Sequence, residues 1–397
     1  MFAAVNCDII DGIRDDIIED AALLVNERGN IEKCAARENL SLPPEAQVID
    51  MQEGIIIPGL IDTHIHLCFA PVSDPLGKLT DESEARTSTR ALKHAAQTLK
   101  GGITTVRDVG GKNYVNIALK KAGSEDFFPL PRILTAGCSL TMTGGHGWPI
   151  AEEVDGRTEL RQGARKQLKK GADLIKVMAT GGILTKGVKP GAPQLSVEEM
   201  KAAVEVANKA DCRVAAHAQG NKGIKNAVRA GVNSIEHGVY LDTEAVDMMI
   251  KNDVYLVPTL SAIHWIVEKG DDHEIPDYAV EKSKNLIEDH IESFEMAHEA
   301  GVKITMGTDA GSPFNEHGKN HYELILMVNQ GMSAMQAIKS ATSRAAELLD
   351  IDSRTGTLTG GKAADFVVLE KSPLEDIRNI KTVQKVFIQG EEQNLSW

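Results

Sequence analysis

The fold of this chain is decided by one stretch, Gly54-Ile55-Ile56-Ile57-Pro58-Gly59-Leu60-Ile61-Asp62-Thr63-His64-Ile65-His66. Its apolar residues predict buried strands on either side of Pro58-Gly59, and a histidine pair lies at its end. Side chains of a strand alternate between two faces, so His64 and His66 point to the same side. The pair can therefore bind one metal ion together, and the stretch predicts a metal site at the end of a strand.

The residues that follow alternate between strand and helix patterns. Eight segments are typical of buried strands, and helical patterns lie between most of them. Eight strand–helix units in about 300 residues predict an α/β fold, a (β/α)₈ TIM barrel. A doubly wound open sheet would also explain the alternation, but not why residues of metal-ligand type end five separate strands. The predicted strands are residues 60–66, 103–108, 132–137, 174–179, 213–217, 234–237, 254–259 and 303–309.

The two ends of the chain carry a different pattern. Residues 21–25 and 54–57 near one end, and 364–369 and 383–388 near the other, are typical of short strands joined by turns. Neither end is long enough for a good core alone, and chain termini often lie close together in a fold. We therefore expect a small composite β-sandwich domain of residues 1–57 and 355–397, beside a barrel of residues 58–354.

The composition is ordinary for a globular protein, with 42% apolar and 25% charged residues in a chain of 397. A net charge of −14 argues against nucleic acid as a partner. The five cysteines are scattered and odd in number, which indicates neither a disulfide framework nor a cysteine zinc site. The sequence opens with no secretory signal, and no apolar run reaches the roughly 20 residues that span a bilayer. We expect a cytoplasmic protein with no membrane partner.

Four more residues of ligand type lie in or at the ends of other predicted strands. The carboxyl ends of barrel strands converge at one mouth, so residues distant in sequence become neighbours there. Imidazole nitrogen together with carboxylate oxygen suits Zn²⁺, with Mn²⁺, Fe²⁺ or Co²⁺ as alternatives. Each histidine alone could equally be a hydrogen-bonded core or surface residue, but their common location favours a metal. The candidate set is His64, His66, Lys176, His217, His237 and Asp309.

Lys176 is the unusual member of this set because it interrupts a buried-looking strand. Barrel strands are covered on both faces, so an unpaired ammonium there would be costly. Burial lowers the pKa of a lysine, and the free amine can add CO₂ to become an anionic carbamate with two oxygens. Such a group could bridge two metal ions. The alternative is an ion pair between Lys176 and a buried carboxylate such as Asp309.

The sequence resembles the amidohydrolase superfamily over nearly its whole length. The resemblance is greatest to the branch of metal-dependent Xaa-Pro dipeptidases and arginine or lysine carboxypeptidases, with imidazolonepropionases as more distant relatives. A histidine pair alone is a weak motif, whereas the whole set is highly specific. The matching stretches are residues 58–66, 143–147, 175–182, 216–218, 235–238 with Tyr240 and Asp242, and 307–311, while 356–365 is similar to the segment that re-enters the family's terminal β domain.

The resemblance implies two divalent metal ions, expected to be Zn²⁺, and a CO₂-derived carbamate on Lys176 that bridges them. A hydroxide between the metals would be the nucleophile, since a bound cation lowers the pKa of water from 15.7 to about 7. Asp309 would pass its proton to the leaving nitrogen, and His146 would polarise the scissile carbonyl. A single metal ion without the carbamate is the alternative. The implied ligands are His64, His66 and Asp309 for the first ion, and His217 and His237 for the second.

Contacts to the substrate are less determined by the sequence. The resemblance implies that Tyr240 contacts the substrate, with aromatic packing near the barrel rim as the alternative. Lys186 and Lys189 stand on a glycine-rich segment where relatives often have an acidic residue and serines. We expect these lysines either to attract a substrate carboxylate or to be solvated loop residues. His317 and Asn320 also match the branch, and we expect them to order a loop rather than bind metal.

Together these features predict a binuclear metal hydrolase that cleaves the amide bond of a small molecule, a dipeptide or an N-acyl amino acid. Hydrolysis of a non-peptide amide, a cyclic amide, a carbamate or a urea on the same site is the second hypothesis. An inactive binding or assembly protein on this fold is the third. Relatives imply a homo-oligomer. The remaining histidines show no chemical pattern and are expected at the surface: His94, His264, His273, His290, His298 and His321.

Overall fold

The computed structural model describes residues 1–125, 127–270 and 274–394, so His273 lies outside the described residues. Its strands come in three groups along the chain, an initial run, a run separated by helices and a final run. The strands are β1 Phe2–Ile9, β2 Ile18–Val25, β3 Ile31–Ala36, β4 Gln47–Pro58, β5 Leu60–Ile65, β6 Ile103–Asp108, β7 Arg132–Thr135, β8 Ser139–Thr141, β9 Ala151–Glu153, β10 Leu174–Met178, β11 Arg213–Ala218, β12 Ser234–His237, β13 Tyr255–Val257, β14 Phe366–Leu369, β15 Val383–Ile388 and β16 Glu391–Glu392.

Helices follow most of the central strands. Ser196 with Glu199 and Ser333 with Gln336 form the capping boxes that start the helices at Val197–Asn208 and Ala334–Ser340, as their spacing indicates. No helix within the described ranges is both long and apolar enough to cross a membrane. The helices are α1 Pro75–Asp81, α2 Glu84–Lys100, α3 Val115–Ser124, α4 Gly156–Lys170, α5 Val197–Asn208, α6 Asn221–Ala230, α7 Thr243–Lys251, α8 Leu260–Lys269, α9 Asp277–Lys284, α10 Ile287–Glu299, α11 Tyr322–Asn329, α12 Ala334–Ser340 and α13 Ser343–Leu348, with short 3₁₀ turns at Arg37–Asn39, Lys112–Tyr114, Trp148–Ile150 and Ile377–Lys381.

The central strands form the predicted barrel. One sheet has the order β5-β6-β7, and a second has the order β13-β12-β11-β10-β8-β9, with parallel pairing between neighbours. The amide of Asp173 donates to the carbonyl of Thr135 at 2.8 Å, which joins β7 to the start of β10. Every residue of β5 and of β6 is buried, as expected for strands covered on both faces. The open-sheet alternative is therefore excluded by the closure of the strands.

The eighth predicted strand, residues 303–309, is a correction to the sequence analysis, because these residues do not form a continuous strand. Their backbone forms isolated hydrogen bonds to the strand on either side. Thr305 donates to Leu256 at 3.0 Å on one side, and Thr63 donates to Met306 at 3.0 Å on the other. Asp309 has a φ of 56°, which takes the backbone out of the extended region. The segment closes the barrel without forming a regular ladder.

The terminal strands form the second predicted unit, a β domain made from both ends of the chain. They build one seven-stranded sheet of order β16-β15-β14-β4-β1-β2-β3, in which β4 pairs with both β1 and β14. Hydrogen bonding is continuous through these seven strands, which confirms a β domain made from both termini. Its faces carry separate apolar clusters, one around Leu23 and Phe366 and one around Leu24 and Leu40. The division of the chain near residues 57 and 355 stays a prediction.

Asp62 connects the first barrel strand to the closing segment. Its buried carboxylate accepts from the hydroxyl of Thr308 at 2.6 Å, from the side-chain amide of Asn320 at 2.7 Å and from the backbone amide of His64 at 3.0 Å. A carboxylate satisfied by several donors can remain buried. The network therefore fixes the relative positions of His64 and the 308–309 segment, as the loop-ordering role expected for Asn320 requires.

Removing Asn320 is expected to weaken this closure. Asn320→Ala leaves the buried Asp62 short of a donor, so the free energy of unfolding should fall by about 1–3 kcal/mol. Denaturant unfolding followed by circular dichroism measures the change. The exposed Asn329→Ala is the control and should shift stability by no more than about 0.5 kcal/mol. Equal stabilities for the two variants would contradict the structural role of the network.

Candidate metal centre

Three side chains meet at the mouth of the barrel, two from its first strand region in the sequence and one from its last segment. His64 lies near the end of β5, His66 directly follows β5, and Asp309 ends the closing segment. The Oδ1 atom of Asp309 lies 3.5 Å from the Nε2 atom of each histidine. One ligand atom from each residue lies within 4.8 Å of the others. This is a donor set of nitrogen and oxygen that suits a divalent transition ion.

The two histidines are held by bonds on their other ring nitrogen. His64 Nδ1 lies 2.7 Å from Glu236 Oε2, and His66 Nδ1 lies 2.8 Å from the carbonyl oxygen of Gly110. Both partners are acceptors, which favours the proton on Nδ1 and leaves the Nε2 lone pair towards Asp309. Such bonds fix the tautomer of a metal-binding histidine. Burial also lowers the pKa of His66 to about 4, so its imidazole is neutral and able to bind a cation.

The remaining candidate ligands line the same cavity. Ring centroids lie 5.1 Å apart for His64 and His237, and 4.6 Å apart for His217 and His237. His237 Nδ1 lies 2.7 Å from the hydroxyl oxygen of Thr259, and burial lowers the pKa of both His217 and His237 well below the usual value. Lys176 is 1% exposed and faces this group. The structure thus brings all six candidate ligands to one cavity.

The charged residues of the cavity show the effect of burial on their pKa values. Burial raises the pKa of the Asp309 carboxyl to about 7, opposed by the positive charge of Lys176. Burial lowers the pKa of Lys176 to about 8, opposed by the negative charge of Glu236. The Asp309 carboxylate lies beside the neutral rings of His64 and His66, and the described residues show no ion pair between Asp309 and Lys176. A buried lysine with a depressed pKa is the chemistry that carbamate formation needs.

Strained backbone marks three positions at this mouth, at the end of β12, just beyond β13 and at the end of the closing segment. His237, Thr259 and Asp309 have φ values of 73°, 52° and 56°, in the left-handed region that non-glycine residues avoid. Such residues are found at functional sites, where the surrounding structure holds them. The carbonyl of His64 accepts from the backbone amide of Asp309 at 2.7 Å, which holds this turn against β5. The strain turns the side chains of His237 and Asp309 into the cavity.

His146 lies on the loop that follows β8 and faces His217, with ring centroids 4.3 Å apart. Its Nδ1 lies 2.8 Å from the hydroxyl oxygen of Thr185, and its backbone amide donates to Gln194 at 3.0 Å. Gly182 packs so closely that a Cβ atom there would lie 2.5 Å from His146 Cε1. Burial, with the charges of Lys176 and Lys282 adding, lowers the pKa of His146 to about 3. The imidazole of His146 is therefore neutral and held in one orientation.

The rest of the cavity wall is apolar. The cavity has a volume of about 40 Å³ and opens partly to solvent. Among its described lining residues, the side chains with full charges are Lys176 and Asp309, and both belong to the candidate metal centre. The wall therefore suits an uncharged apolar group beside the metal-binding residues. The apolar lining is Phe69, Leu76, Ile150, Met178 and Leu184.

Three predicted substrate contacts are not part of this wall. Tyr240 is half-buried and packs against an apolar cluster that includes Val239. Lys186 and Lys189 are exposed on the loop that follows β10, and the residue of that loop that lines the cavity is Leu184. A substrate contact for these three residues stays a prediction.

Sequence reasoning missed the polar residues that support the histidines. Glu236 is fully buried and accepts from Arg107 Nη2 at 2.9 Å and from Ser234. The argument used for Lys176 would have found both Glu236 and Arg107, since a charge in a buried strand needs a partner. No sequence motif indicates that the carbonyl oxygen of Gly110 accepts a hydrogen bond from a histidine ring.

Two histidines expected at the surface are buried, which corrects the sequence analysis. His94 stacks on His317 with ring centroids 3.9 Å apart, and its Nδ1 lies 2.9 Å from the carbonyl oxygen of Leu67. His317 Nε2 lies 3.2 Å from the carbonyl oxygen of His66, which agrees with its expected loop-ordering role. His290 Nε2 lies 2.8 Å from the carbonyl oxygen of Pro258. Each ring has a nitrogen close to a backbone carbonyl oxygen, and no periodicity in the sequence indicates that.

Comparison with known proteins gives consistent similarities over nearly the whole chain. A model described as the amidohydrolase family matches residues 55–392. The ochratoxinase of Aspergillus niger is 31% identical over 355 residues, which cover 82% of this chain and 72% of that protein. A crystal structure of a Xaa-Pro dipeptidase with methionine bound in its active site is 34% identical, with a TM-score of 0.92 over 99% of both chains. A prolidase complexed with N-methylphosphonate-L-proline is 29% identical, with a TM-score of 0.90 over 98% of both chains.

The contact between Glu236 and His64 gives a prediction about metal affinity. Glu236→Gln keeps the shape but can place an amide N–H against Nδ1, which favours the proton on Nε2, where a metal ion would bind. Zn²⁺ affinity should fall about 10–100-fold, measured by competition with a chelator. Ser234→Ala is the matched control, because it removes the bonds of Ser234 to Glu236 and Arg107 and leaves the bond between Glu236 and His64. Unchanged affinity in Glu236→Gln would contradict the tautomer argument.

Proposed function

Because this chain belongs to the amidohydrolase family and is a hydrolase acting on C–N bonds, we propose that it is a metal-dependent dipeptidase or N-acyl amino acid hydrolase. The observation that carries the proposal is the meeting of His64, His66 and Asp309 within 4.8 Å beside a buried lysine and an apolar wall. Family membership makes an inactive binding or assembly protein the weaker hypothesis, because the relatives compared are named for hydrolytic activities.

The donor set fits two divalent ions, and we propose Zn²⁺. His64, His66 and Asp309 would hold one ion, His217 and His237 the other, and a carbamate on Lys176 would bridge them. The fit rests on neutral imidazoles with fixed tautomers and on a buried amine with a lowered pKa. When bound, such ions supply Lewis acidity and lower the pKa of water. A single ion without the carbamate is the alternative.

The protein's own groups supply proton transfer and orientation. Asp309 is the general base and then the general acid. His146 is the carbonyl-polarising residue. The hydroxyl of Thr185 can donate to His146 Nδ1, which leaves the proton on Nε2 as a donor towards the cavity. A neutral imidazole donor stabilises developing negative charge on a carbonyl oxygen.

The cavity favours an apolar side chain on the substrate. Phe69, Ile150 and Leu184 line it, and the charged lining groups belong to the metal centre. A charged end of a dipeptide would lie towards the rim, where Lys186, Lys189 and Tyr240 stay candidates for contact. Hydrolysis of a non-peptide amide on this site is the second candidate. A cytoplasmic location and a homo-oligomeric state stay predictions.

A substrate library tests the proposed activity. Dipeptides and N-acyl amino acids with apolar, acidic and basic side chains are assayed with Zn²⁺ and bicarbonate supplied. We expect kcat/KM for apolar side chains to exceed that for acidic ones by at least about tenfold, because a buried charge without a partner is costly. Hydrolysis of non-peptide amides alone would favour the second candidate. Equal rates for apolar and acidic substrates would contradict the role of the apolar wall.

The bridging role of Lys176 is tested by metal content. Lys176→Ala removes the amine that would carry the carbamate, so the bound Zn²⁺ should fall below two ions per chain and kcat should fall by at least about 10²-fold. Inductively coupled plasma analysis and steady-state kinetics measure the two effects. Lys225→Ala, a lysine paired with surface acids, is the control for loss of one ammonium. Two retained ions with full activity would show that Lys176 does not bridge.

A further inference from the structure

Helix α9 places one lysine against the loop that covers the candidate site. The ammonium of Lys282 donates to the carbonyl oxygens of Val188 at 2.8 Å, Thr185 at 2.9 Å, Ile183 at 3.2 Å and Gly182 at 3.4 Å. All four oxygens belong to residues 181–190, which we name the cavity loop. The loop folds its backbone around a single cationic group.

This arrangement links the geometry of the loop to a charge. An ammonium has three N–H donors and no acceptor, so a ring of carbonyl oxygens satisfies it fully. Charge-assisted hydrogen bonds are roughly twice as strong as neutral ones, and they bring together carbonyl dipoles that would otherwise repel. The residues of the loop form neither a helix nor a strand, so they lack a regular ladder of their own. Lys282 therefore supplies the partner that the loop backbone needs.

One further hydrogen bond and one apolar cluster also hold the loop against the region of α9. The hydroxyl of Tyr278 donates to the carbonyl oxygen of Leu184 at 3.2 Å, and the ammonium of Lys282 lies 5.3 Å from the centre of the Tyr278 ring. The side chain of Ile183 is buried in an apolar cluster with Ile275 and Ala279. Helix α9 thus holds the loop through polar and apolar contacts, and Lys282 contributes the largest number of the polar ones.

The cavity loop in turn determines the position of His146. Thr185 lies 2.8 Å from His146 Nδ1, and Gly182 packs against the imidazole ring. Leu184, between them, lines the cavity. Each of these three residues has its backbone carbonyl bonded to Lys282 or to Tyr278. A movement of the loop would therefore displace both the imidazole and the apolar wall.

We propose that Lys282 is a positioning residue, which keeps the cavity loop closed and thereby aligns His146 with the bond to be cleaved. It acts through the loop and touches neither the candidate metal ligands nor the cavity. The inference rests on the proposed function for its kinetic consequence. The closure of the loop does not depend on the reaction, and it can be measured separately.

Limited trypsin digestion measures closure without any substrate. Lys186 is exposed on the cavity loop, and its bond to Gly187 is open to trypsin once the loop can unfold locally, whereas the bond from Lys189 to Pro190 is resistant. We expect Lys282→Ala to speed cleavage after Lys186 by about tenfold or more, identified by fragment mass. The control is Lys251→Ala, an exposed lysine on α7 whose loss removes one trypsin site elsewhere. It should leave cleavage after Lys186 unchanged.

Chemical rescue separates a hydrogen-bonding role from a general loss of stability. Methylammonium offers three N–H donors and fits the space left by Lys282→Ala, whereas tetramethylammonium has the same charge and no donor. We expect kcat of Lys282→Ala to be about tenfold lower than that of the wild-type protein, because His146 acts on charge that develops during the reaction. Methylammonium, but not tetramethylammonium, should slow trypsin cleavage of the variant and restore its kcat. An equal response to both cations would contradict the proposal.

The outcomes distinguish failure of this proposal from failure of the proposed function. If the wild-type protein hydrolyses no dipeptide or N-acyl amino acid, the proposed function fails, and the digestion of Lys282→Ala still decides whether the lysine closes the loop. If the wild-type protein is active, and Lys282→Ala matches Lys251→Ala in both cleavage rate and kcat, Lys282 is not a positioning residue.

Discussion

The buried carboxylate of Glu236 is the interaction on which the rest of this site depends. It lies on β12, accepts from Arg107 on β6, and is 2.7 Å from the Nδ1 atom of His64 on β5. Arg107 also donates to the carbonyl of Thr63, one residue before that histidine. Removing either charged partner would leave an uncompensated charge in the barrel core, which is strongly destabilising. The network therefore ties the interior of the barrel to the tautomer of one candidate ligand.

Unusual backbone conformations at the mouth place side chains in the cavity that the alternation of a regular strand would not place there. A regular strand would carry its side chains to the two faces alternately, which accounts for His64 and His66. His237 and Asp309 reach the same cavity from positive φ values at the ends of their segments. Such conformations cost on the order of 1–3 kcal/mol each. Close packing offsets part of this, as at Gly307, where an added Cβ atom would lie 2.8 Å from that of His64.

Residues beyond the candidate ligands also hold the site in place. Gly110, Thr259 and Thr185 each contact the Nδ1 atom of a different histidine. Behind them, Asp62 holds the closing segment of the barrel, and Lys282 holds the cavity loop. The apolar wall comes from side chains outside the strands except for Met178 at the end of β10, so much of the substrate pocket can vary while the barrel and its donor set stay the same. Chemistry and specificity are thus carried by different parts of the fold.

The sequence by itself determined the fold class, the family and the identities of the six residues that converge at the mouth. It could do so because a barrel brings all strand ends to one place, and because His64, His66 and Lys176 stand out in apolar strands. It also indicated both capping boxes and the β character of the termini. Tertiary structure alone decided that the terminal strands form one sheet, that residues 303–309 close the barrel irregularly, and that His94 and His290 are buried. It alone decided that Glu236 faces His64 and that Lys282 faces the cavity loop, 94 to 100 residues away along the chain. Local patterns report burial and periodicity, whereas hydrogen bonds between distant segments depend on how the strands and loops come together in space.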